Sequence, residues 1–178
     1  MREDHPKYRA ICRSALWAWL LGAICAGCSQ TADESPNLRL QLKDKDPNVR
    51  YGAVSQLASV PVTQDSVDDL RAALKDKDPA VRMAASYALG KLGAAAAPAL
   101  PQLVIALKDP DKRVRSAAAY AVPALGPSSS GAVPALIAAT RDSDPEVRTT
   151  AAQSLKKIRL AEKYRRELGH TASTPSQP

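Results

Sequence analysis

The sequence contains no phenylalanine and only two histidines, and no cysteine or tryptophan occurs after Cys28. The histidines are His5 and His170, so the intervening body of the chain has no imidazole and, after Cys28, no thiol. These absences exclude Ser-His-Asp and Cys-His nucleophilic sites, and thiolate metal sites, from that body. With so few aromatic residues, the core must consist of small aliphatic side chains. Abundant alanine among them favours closely packed helices over sheets.

The N-terminal segment has the pattern of an export signal. Residues 1–13 hold four basic and two acidic residues, and SALWAWLLGAICAG then runs without a charge up to Cys28. A basic region, a short apolar run and small residues before a break are typical of a secretory signal. The apolar run is shorter than the about 20 residues that span a bilayer. We therefore predict a signal peptide over residues 1–27, followed by a polar tether over residues 28–35.

Ala26 and Gly27 directly before Cys28 resemble the lipobox of bacterial lipoproteins, although Cys25 stands where that family usually has leucine. The resemblance implies that Cys28 is acylated and becomes the mature N-terminus. Ser29 at the next position implies an outer-membrane lipoprotein that faces the periplasm. A plain signal peptide cleaved nearby, or an uncleaved anchor, are the alternatives. The expected location is the bacterial cell envelope, with the membrane reached through a lipid anchor.

The positive charge is concentrated in one segment. Residues 28–178 carry 21 basic and 16 acidic residues, and residues 156–168 alone hold six basic and two acidic ones. A nucleic-acid-binding domain needs a basic face with aromatic or helical readout. We therefore expect no nucleic-acid partner. The basic C-terminal segment is either ordinary solvated surface or a contact for an anionic lipid or polymer.

The strongest signal is an internal repeat. The four copies DKDPNVR, DKDPAVR, DPDKRVR and DSDPEVR begin at Asp44, Asp76, Asp109 and Asp142, at a nearly constant step along the chain. Apolar columns keep the same step, among them Leu38, Leu70, Leu103 and Leu136, and Ala53, Ala85, Ala118 and Ala151. Such a period indicates stacked units, each of which buries its apolar face against its neighbours.

Within one unit, the apolar spacing is helical on both sides of the aspartate turn. Each unit is therefore predicted to be a helix A, a tight turn and a helix B, with Gly93 and Gly126 as left-handed C-terminal caps. The predicted fold is all-α, a right-handed α-solenoid of four units over residues 36–160. The predicted unit boundaries are 36–60, 61–93, 94–126 and 127–160, with a helix extension and a disordered tail over 161–178.

The pattern D-x-D-P-x-V-R-x-x-A-A resembles the HEAT-like repeats of phycobilisome lyases, a family of scaffolds. An aspartate before proline also predicts a helix N-cap, whereas a calcium loop would need a glycine and a closing glutamate that are missing here. The resemblance implies a ladder in which an arginine of each helix B reaches the turn aspartates of an adjacent unit. The ladder residues are predicted to be Asp46, Asp78, Asp111, Asp144, Arg50, Arg82, Arg115 and Arg148.

The resemblance also raises an enzymatic alternative. HEAT-like hydroxylases hold a di-iron site with His-Glu pairs, and bilin lyases share the repeats. Because no histidine lies in any repeat, we predict that the chain is not an enzyme and has no cofactor and no metal site. The alternative is a HEAT-like lyase or hydroxylase relative, an oxidoreductase by family resemblance only.

Tyr87 and Tyr120 lie one repeat apart and fall outside the buried stripe, near Met83 and Ser116. These four residues are predicted to face outward on the concave side of the stack, where paired tyrosines could anchor an unidentified protein or peptide partner. The alternative is that each ring lies against the neighbouring helix and shields the seam between units. The predicted function is a noncatalytic protein-interaction scaffold.

Overall fold

The computed structural model describes the backbone of residues 35–171 and the side chains of residues 37–167. Within them the chain forms four helix pairs and no strand. The eight α-helices are α1 Ser35–Gln41, α2 Pro47–Leu57, α3 Gln64–Ala73, α4 Pro79–Leu92, α5 Leu100–Ala106, α6 Lys112–Ala121, α7 Val133–Ala139 and α8 Pro145–Thr171. The all-α repeat fold is thus confirmed. The predicted signal peptide, most of the tether and Cys28 lie outside the described residues.

The repeated apolar columns form one continuous core. The leucines at 70, 103 and 136 and the alanines at 53, 85, 118 and 151 are all fully buried. Helix α4 packs between α2 and α6, and α8 packs on α6, so every inner B helix is covered on two sides. Burial of a leucine contributes about 1.5–3 kcal/mol. The alanines contribute by letting the helix backbones approach closely.

The closest of these approaches involves Gly90 in the last turn of α4. A Cβ atom placed on Gly90 would lie 3.0 Å from the Cα atom of Ala121 at the end of α6. No side chain fits in that gap without moving one of the helices. Helices α4 and α6 therefore meet through backbone contact at this end of the stack, close to Tyr87 and Tyr120.

Two glycines after the middle B helices have a backbone that other residues rarely adopt: Gly93 caps the end of α4, and Gly126 lies five residues after the end of α6. Gly93 has φ 64° and ψ −135°, and Gly126 has φ 68° and ψ −138°. The expectation of a left-handed cap was correct in the sign of φ but wrong in ψ. Gly93 begins the 3-10 segment Gly93–Ala99, and Gly126 lies inside the 3-10 segment Val122–Ala132. Only glycine takes such a conformation at low cost.

The stretch Pro79–Ala106 is long and apolar enough, by composition, to cross a membrane. It consists of α4, the 3-10 turn and α5, and it is interrupted by the positive φ of Gly93. Leu89 and Leu103 within it are fully buried in the repeat core.

Each aspartate turn begins a B helix in the same way. The second aspartate caps the helix, and its Oδ1 accepts the backbone N–H two residues later at 2.8 Å for Asp46, Asp78 and Asp111 and at 2.9 Å for Asp144. The first aspartate accepts the backbone N–H of the second, for example at 2.8 Å from Asp78 to Asp76. Such a cap contributes about 1 kcal/mol to helix stability.

The arginine ladder connects successive repeats through the first aspartate of the turn. Arg82 binds Asp109 with two parallel hydrogen bonds of 2.7 Å each. Its Nη1 donates to the carbonyl oxygens of Asp76 and Lys77 in its own turn, at 2.9 and 3.2 Å. Arg50 pairs with Asp76, and Arg115 pairs with Asp142, with matching geometry.

This arrangement corrects the predicted ladder in its aspartates. Asp46, Asp78, Asp111 and Asp144 were expected to form the rungs, but their carboxylates are engaged by the first amides of their own helices. Asp111 and Asp144 pair instead with Arg113 and Lys112. Arg148, in the last repeat, keeps its bonds to the carbonyl oxygens of Asp142 and Ser143 and has no carboxylate partner among residues 37–167.

Candidate partner-binding site

Tyr87 of α4 and Tyr120 of α6 stand side by side on the surface of the B helices. Their ring centroids are 5.7 Å apart, and the ring planes are inclined by 60°. Their exposed fractions are 43% and 54%, so most of one face of the pair is open to solvent. Partial burial raises the pKa of Tyr87 above its ordinary value, and the negative charge of Glu146 adds to that effect. A tyrosine phenol is neutral at physiological pH and can donate a hydrogen bond.

The two rings form one wall of a groove of about 470 Å³, which we call the tyrosine groove. It is lined by Tyr87, Tyr120, Gly90, Lys91, Pro123, Ala124 and Lys157. The Nζ atom of Lys157 lies 5.4 Å from the centroid of the Tyr120 ring, within the range of a cation–π contact. The Nζ atom of Lys91 donates to Ser59 Oγ at 3.3 Å.

The tyrosine groove carries an unbalanced positive charge. None of its lining residues is acidic. Among the described side chains, the salt bridges engage other cations, and neither Lys91 nor Lys157 takes part in one. The groove therefore offers two aromatic faces, two phenol hydroxyls and two ammonium groups.

Met83 and Ser116 do not belong to this surface, contrary to the sequence prediction. Met83 is partly buried and packs against the core. Ser116 is only 5% exposed, because the first turns of α8 cover it. Its hydroxyl lies 3.4 Å from Glu146 Oε1 and 3.4 Å from Thr150 Oγ1. The spacing of apolar residues within one helix did not reveal this burial, because it does not include the neighbouring repeat.

The sequence analysis missed both lysines of the groove, although the repeat step could have found them. Lys91, Ala124 and Lys157 follow one another at that step and so occupy one column of the B helices. Tyr51 on α2 is 42% exposed but does not line the groove. Tyr51 stands one repeat before Met83, in the same column.

Residues 37–167 contain no group of three or more His, Cys, Asp or Glu side chains that could hold a metal ion. The aspartates that repeat along the chain are used by helix caps and by the arginine ladder. The donors present in this part of the chain therefore do not fit the di-iron centre that the hydroxylase alternative would require.

Solved structures similar to this chain include a hydroxylase, a designed armadillo repeat protein and a phycocyanin lyase complex. Human deoxyhypusine hydroxylase in complex with glycerol is 28% identical, with a TM-score of 0.59, over 70% of this chain and 43% of that one. A designed armadillo repeat protein in complex with the peptide (KR)4 is 21% identical, with a TM-score of 0.54, over 68% of this chain and 62% of that one. The complex of CpcE and CpcF of phycocyanin lyase from Nostoc is 25% identical, with a TM-score of 0.48, over 68% of this chain and 63% of that one.

The chain thus spans less than two thirds of each of these structures. The hydroxylase corrects one prediction. We predicted that the chain is not an enzyme, and this conclusion is wrong, because a protein similar to this chain at 28% identity is a hydroxylase. Repeats of this kind occur in an enzyme, so the repeat architecture is not an argument against catalysis.

Comparison with curated proteins gives no match. The family model for HEAT repeats matches residues 35–122 and 100–174, which together cover all four helix pairs. The matched segments contain the aspartate turns, the arginine ladder and the tyrosine groove. The chain belongs to the HEAT-repeat family.

Proposed function

We propose that the chain is a protein-interaction module of the bacterial cell envelope, and that it holds a protein or peptide partner in the tyrosine groove. The observation that carries the proposal is the pair of exposed rings, whose centroids lie 5.7 Å apart at the edge of an open groove. Tyrosine brings a large contact area and a hydrogen-bonding hydroxyl at low cost in side-chain entropy, and it is enriched among residues that dominate binding energy.

The rigidity of the support favours the same function. The rungs from Arg82 to Asp109 and from Arg115 to Asp142 connect successive repeats through paired hydrogen bonds of 2.7–2.8 Å. Bidentate pairs restrict orientation as well as distance. The two tyrosines are therefore held at a fixed separation before any partner arrives, which lowers the entropy that binding must overcome.

The alternative is that the tyrosines only shield the seam between α4 and α6. A ring that serves only as a shield would lie flat against the neighbouring helix. Here each ring remains about half exposed, and the two rings are inclined to each other by 60°. The seam below them is already closed by the contact between Gly90 and Ala121.

The envelope location rests on the sequence of residues 1–28. We infer that the chain is exported, acylated at Cys28 and held at the outer membrane, facing the periplasm. Cells grown with radioactive palmitate should label the wild-type chain and leave a Cys28→Ala chain unlabelled. Uptake of label by the Cys28→Ala chain would overturn the anchor, and a chain that stays in the cytosolic fraction would overturn export.

The binding role is tested by removing both rings. In the full chain, the double variant Tyr87→Ala/Tyr120→Ala should keep its helical circular dichroism and lose partner crosslinking in intact cells. Tyr164→Ala is the matched control, because Tyr164 is an exposed tyrosine on the C-terminal half of α8, outside the groove. Equal crosslinking by the double variant, the control and the wild type would refute the proposal.

A further inference from the structure

We infer that the tyrosine groove binds an extended acidic segment of its partner, with the partner's carboxylates at the end of the groove that holds Lys91 and Lys157. The inference rests on the proposed function and names the chemistry that the groove accepts. The acidic character of the partner is inferred from the charged side chains around the two rings and not from the rings themselves.

The two lysines are available for an acidic partner at low cost. Lys91 lies in the last turn of α4 and donates to a hydroxyl, Ser59 Oγ. Lys157 lies over the face of Tyr120. A carboxylate could bind either ammonium group without breaking a salt bridge among the described side chains. Since no acidic side chain lines the groove, its walls do not repel such a partner.

The charge around the groove also changes sign along α8, because the negatively charged Glu146 precedes Lys157 on that helix and acts on Tyr87. Glu146, in the first turn of α8, accepts from Ser116 at 3.4 Å, and its charge contributes to the raised pKa of Tyr87. Glu146 and Lys157 stand about three helical turns apart along α8, which corresponds to about 16 Å of helix. An extended chain of about five residues spans that distance.

The rings determine which kind of segment fits between these ends. Aromatic-lined grooves accept extended, proline-containing chains, whose apolar rings lie against the aromatic faces. The tyrosine pair supplies such faces, and Pro123 and Ala124 line the groove beside them. The expected occupant is therefore an extended segment that places proline or other apolar residues against the rings and carboxylates at Lys91 and Lys157.

The test uses a fluorescent decapeptide with a proline-rich half and a glutamate-rich half, and the same peptide with lysine in place of glutamate as its counterpart. Fluorescence anisotropy with the full chain should show binding of the acidic peptide, weaker binding at high salt, and no binding of the basic one. Lys91→Glu/Lys157→Glu should lower the affinity for the acidic peptide by about tenfold or more. Each ion pair between a lysine and a peptide carboxylate contributes a few-fold, and the reversed charge adds repulsion.

The matched control is Lys75→Glu/Lys108→Glu, which changes the net charge equally at two exposed turn lysines outside the groove. It should retain affinity within about twofold once general electrostatic attraction is screened. Equal weakening by both double variants would overturn the inference, as would tighter binding of the basic peptide. Preferential binding of polyphosphate or of phosphatidylglycerol vesicles would also overturn it, by assigning the lysines to another ligand.

The two proposals fail in different ways. If crosslinking of the cellular partner is lost in Tyr87→Ala/Tyr120→Ala but kept in Lys91→Glu/Lys157→Glu, the groove binds a partner that is not acidic. If neither variant changes the crosslinking, the groove is not the partner site.

Discussion

Replacing Arg82 by methionine tests how much one rung of the ladder stabilises the stack. The change keeps a long, helix-forming side chain and removes two hydrogen bonds to Asp109 and two to carbonyl oxygens of the turn. The side chains of Arg82 and Asp109 are only 13% and 10% exposed. Removing one partner of a buried pair costs about 3–5 kcal/mol because the other charge is left uncompensated. With some solvent access remaining, we expect a loss of about 3 kcal/mol.

Arg148→Met is the matched control. Arg148 makes the same two carbonyl bonds in its own turn, but it is exposed and has no carboxylate bond within the described side chains. The difference between the two variants therefore measures the rung between repeats together with the burial of Arg82. Urea unfolding followed by circular dichroism should place the Arg82→Met midpoint about 1.5 M below that of the wild type, for a slope of about 2 kcal/mol/M. A smaller shift, under about 0.5 M, is expected for Arg148→Met. Equal shifts would refute the ladder as a source of stability.

Two further predictions concern acid stability and backbone contacts. The pKa of Asp142 is lowered by Arg115, and that of Asp111 is lowered to about 2 by Arg113; the unfolded chain therefore binds these protons first. The stabilisation that the two ionised carboxylates contribute is complete above about pH 4 and is lost as the pH falls towards about 2. Urea midpoints measured across that range should fall accordingly. The midpoint of Asp111→Asn should depend less on pH. Gly52→Ala should raise the free energy of unfolding by about 0.5–1 kcal/mol, because a Cβ there meets nothing within 4 Å. Gly90→Ala should lower it, because its Cβ would be 3.0 Å from Ala121. If thermal unfolding showed that both alanine substitutions raise the free energy of unfolding, the close packing of α4 on α6 would be contradicted.

The repeat step predicted most of the fold, because each apolar column reports burial at four equivalent positions. It also predicted the N-caps, since an aspartate before proline acts on its own helix and needs no tertiary information. The partners in the ladder could not be predicted without the tertiary structure. In the stretch from Asp76 to Pro79, the proline marks Asp78 as the helix cap, but the sequence pattern does not show which carboxylate an arginine of a neighbouring repeat reaches. Only the stacking of repeats shows that Asp76 faces Arg50 while Asp78 is engaged by its own helix.

The candidate site was predicted only in part, because part of it depends on how the repeats stack. Tyr87 and Tyr120 were found because they share a column and lie off the core stripe. Ser116 was misplaced because a projection of one helix omits the next repeat, which covers it. The lysines of the groove were missed because Lys91 and Lys157 lie on α4 and α8, two repeats apart. Each looks like an ordinary surface charge until the stack brings both to the same groove.

A photoreactive amino acid at Ala124 tests the central claim most directly. Ala124 is exposed and lines the tyrosine groove, whereas Ala72 is exposed on α3, outside it. In intact cells, illumination should crosslink a protein to the Ala124 position and not to Ala72, and the crosslink should disappear in the Tyr87→Ala/Tyr120→Ala background. Crosslinks of equal yield from both positions, or a crosslink at Ala124 that persists without the two rings, would contradict the account.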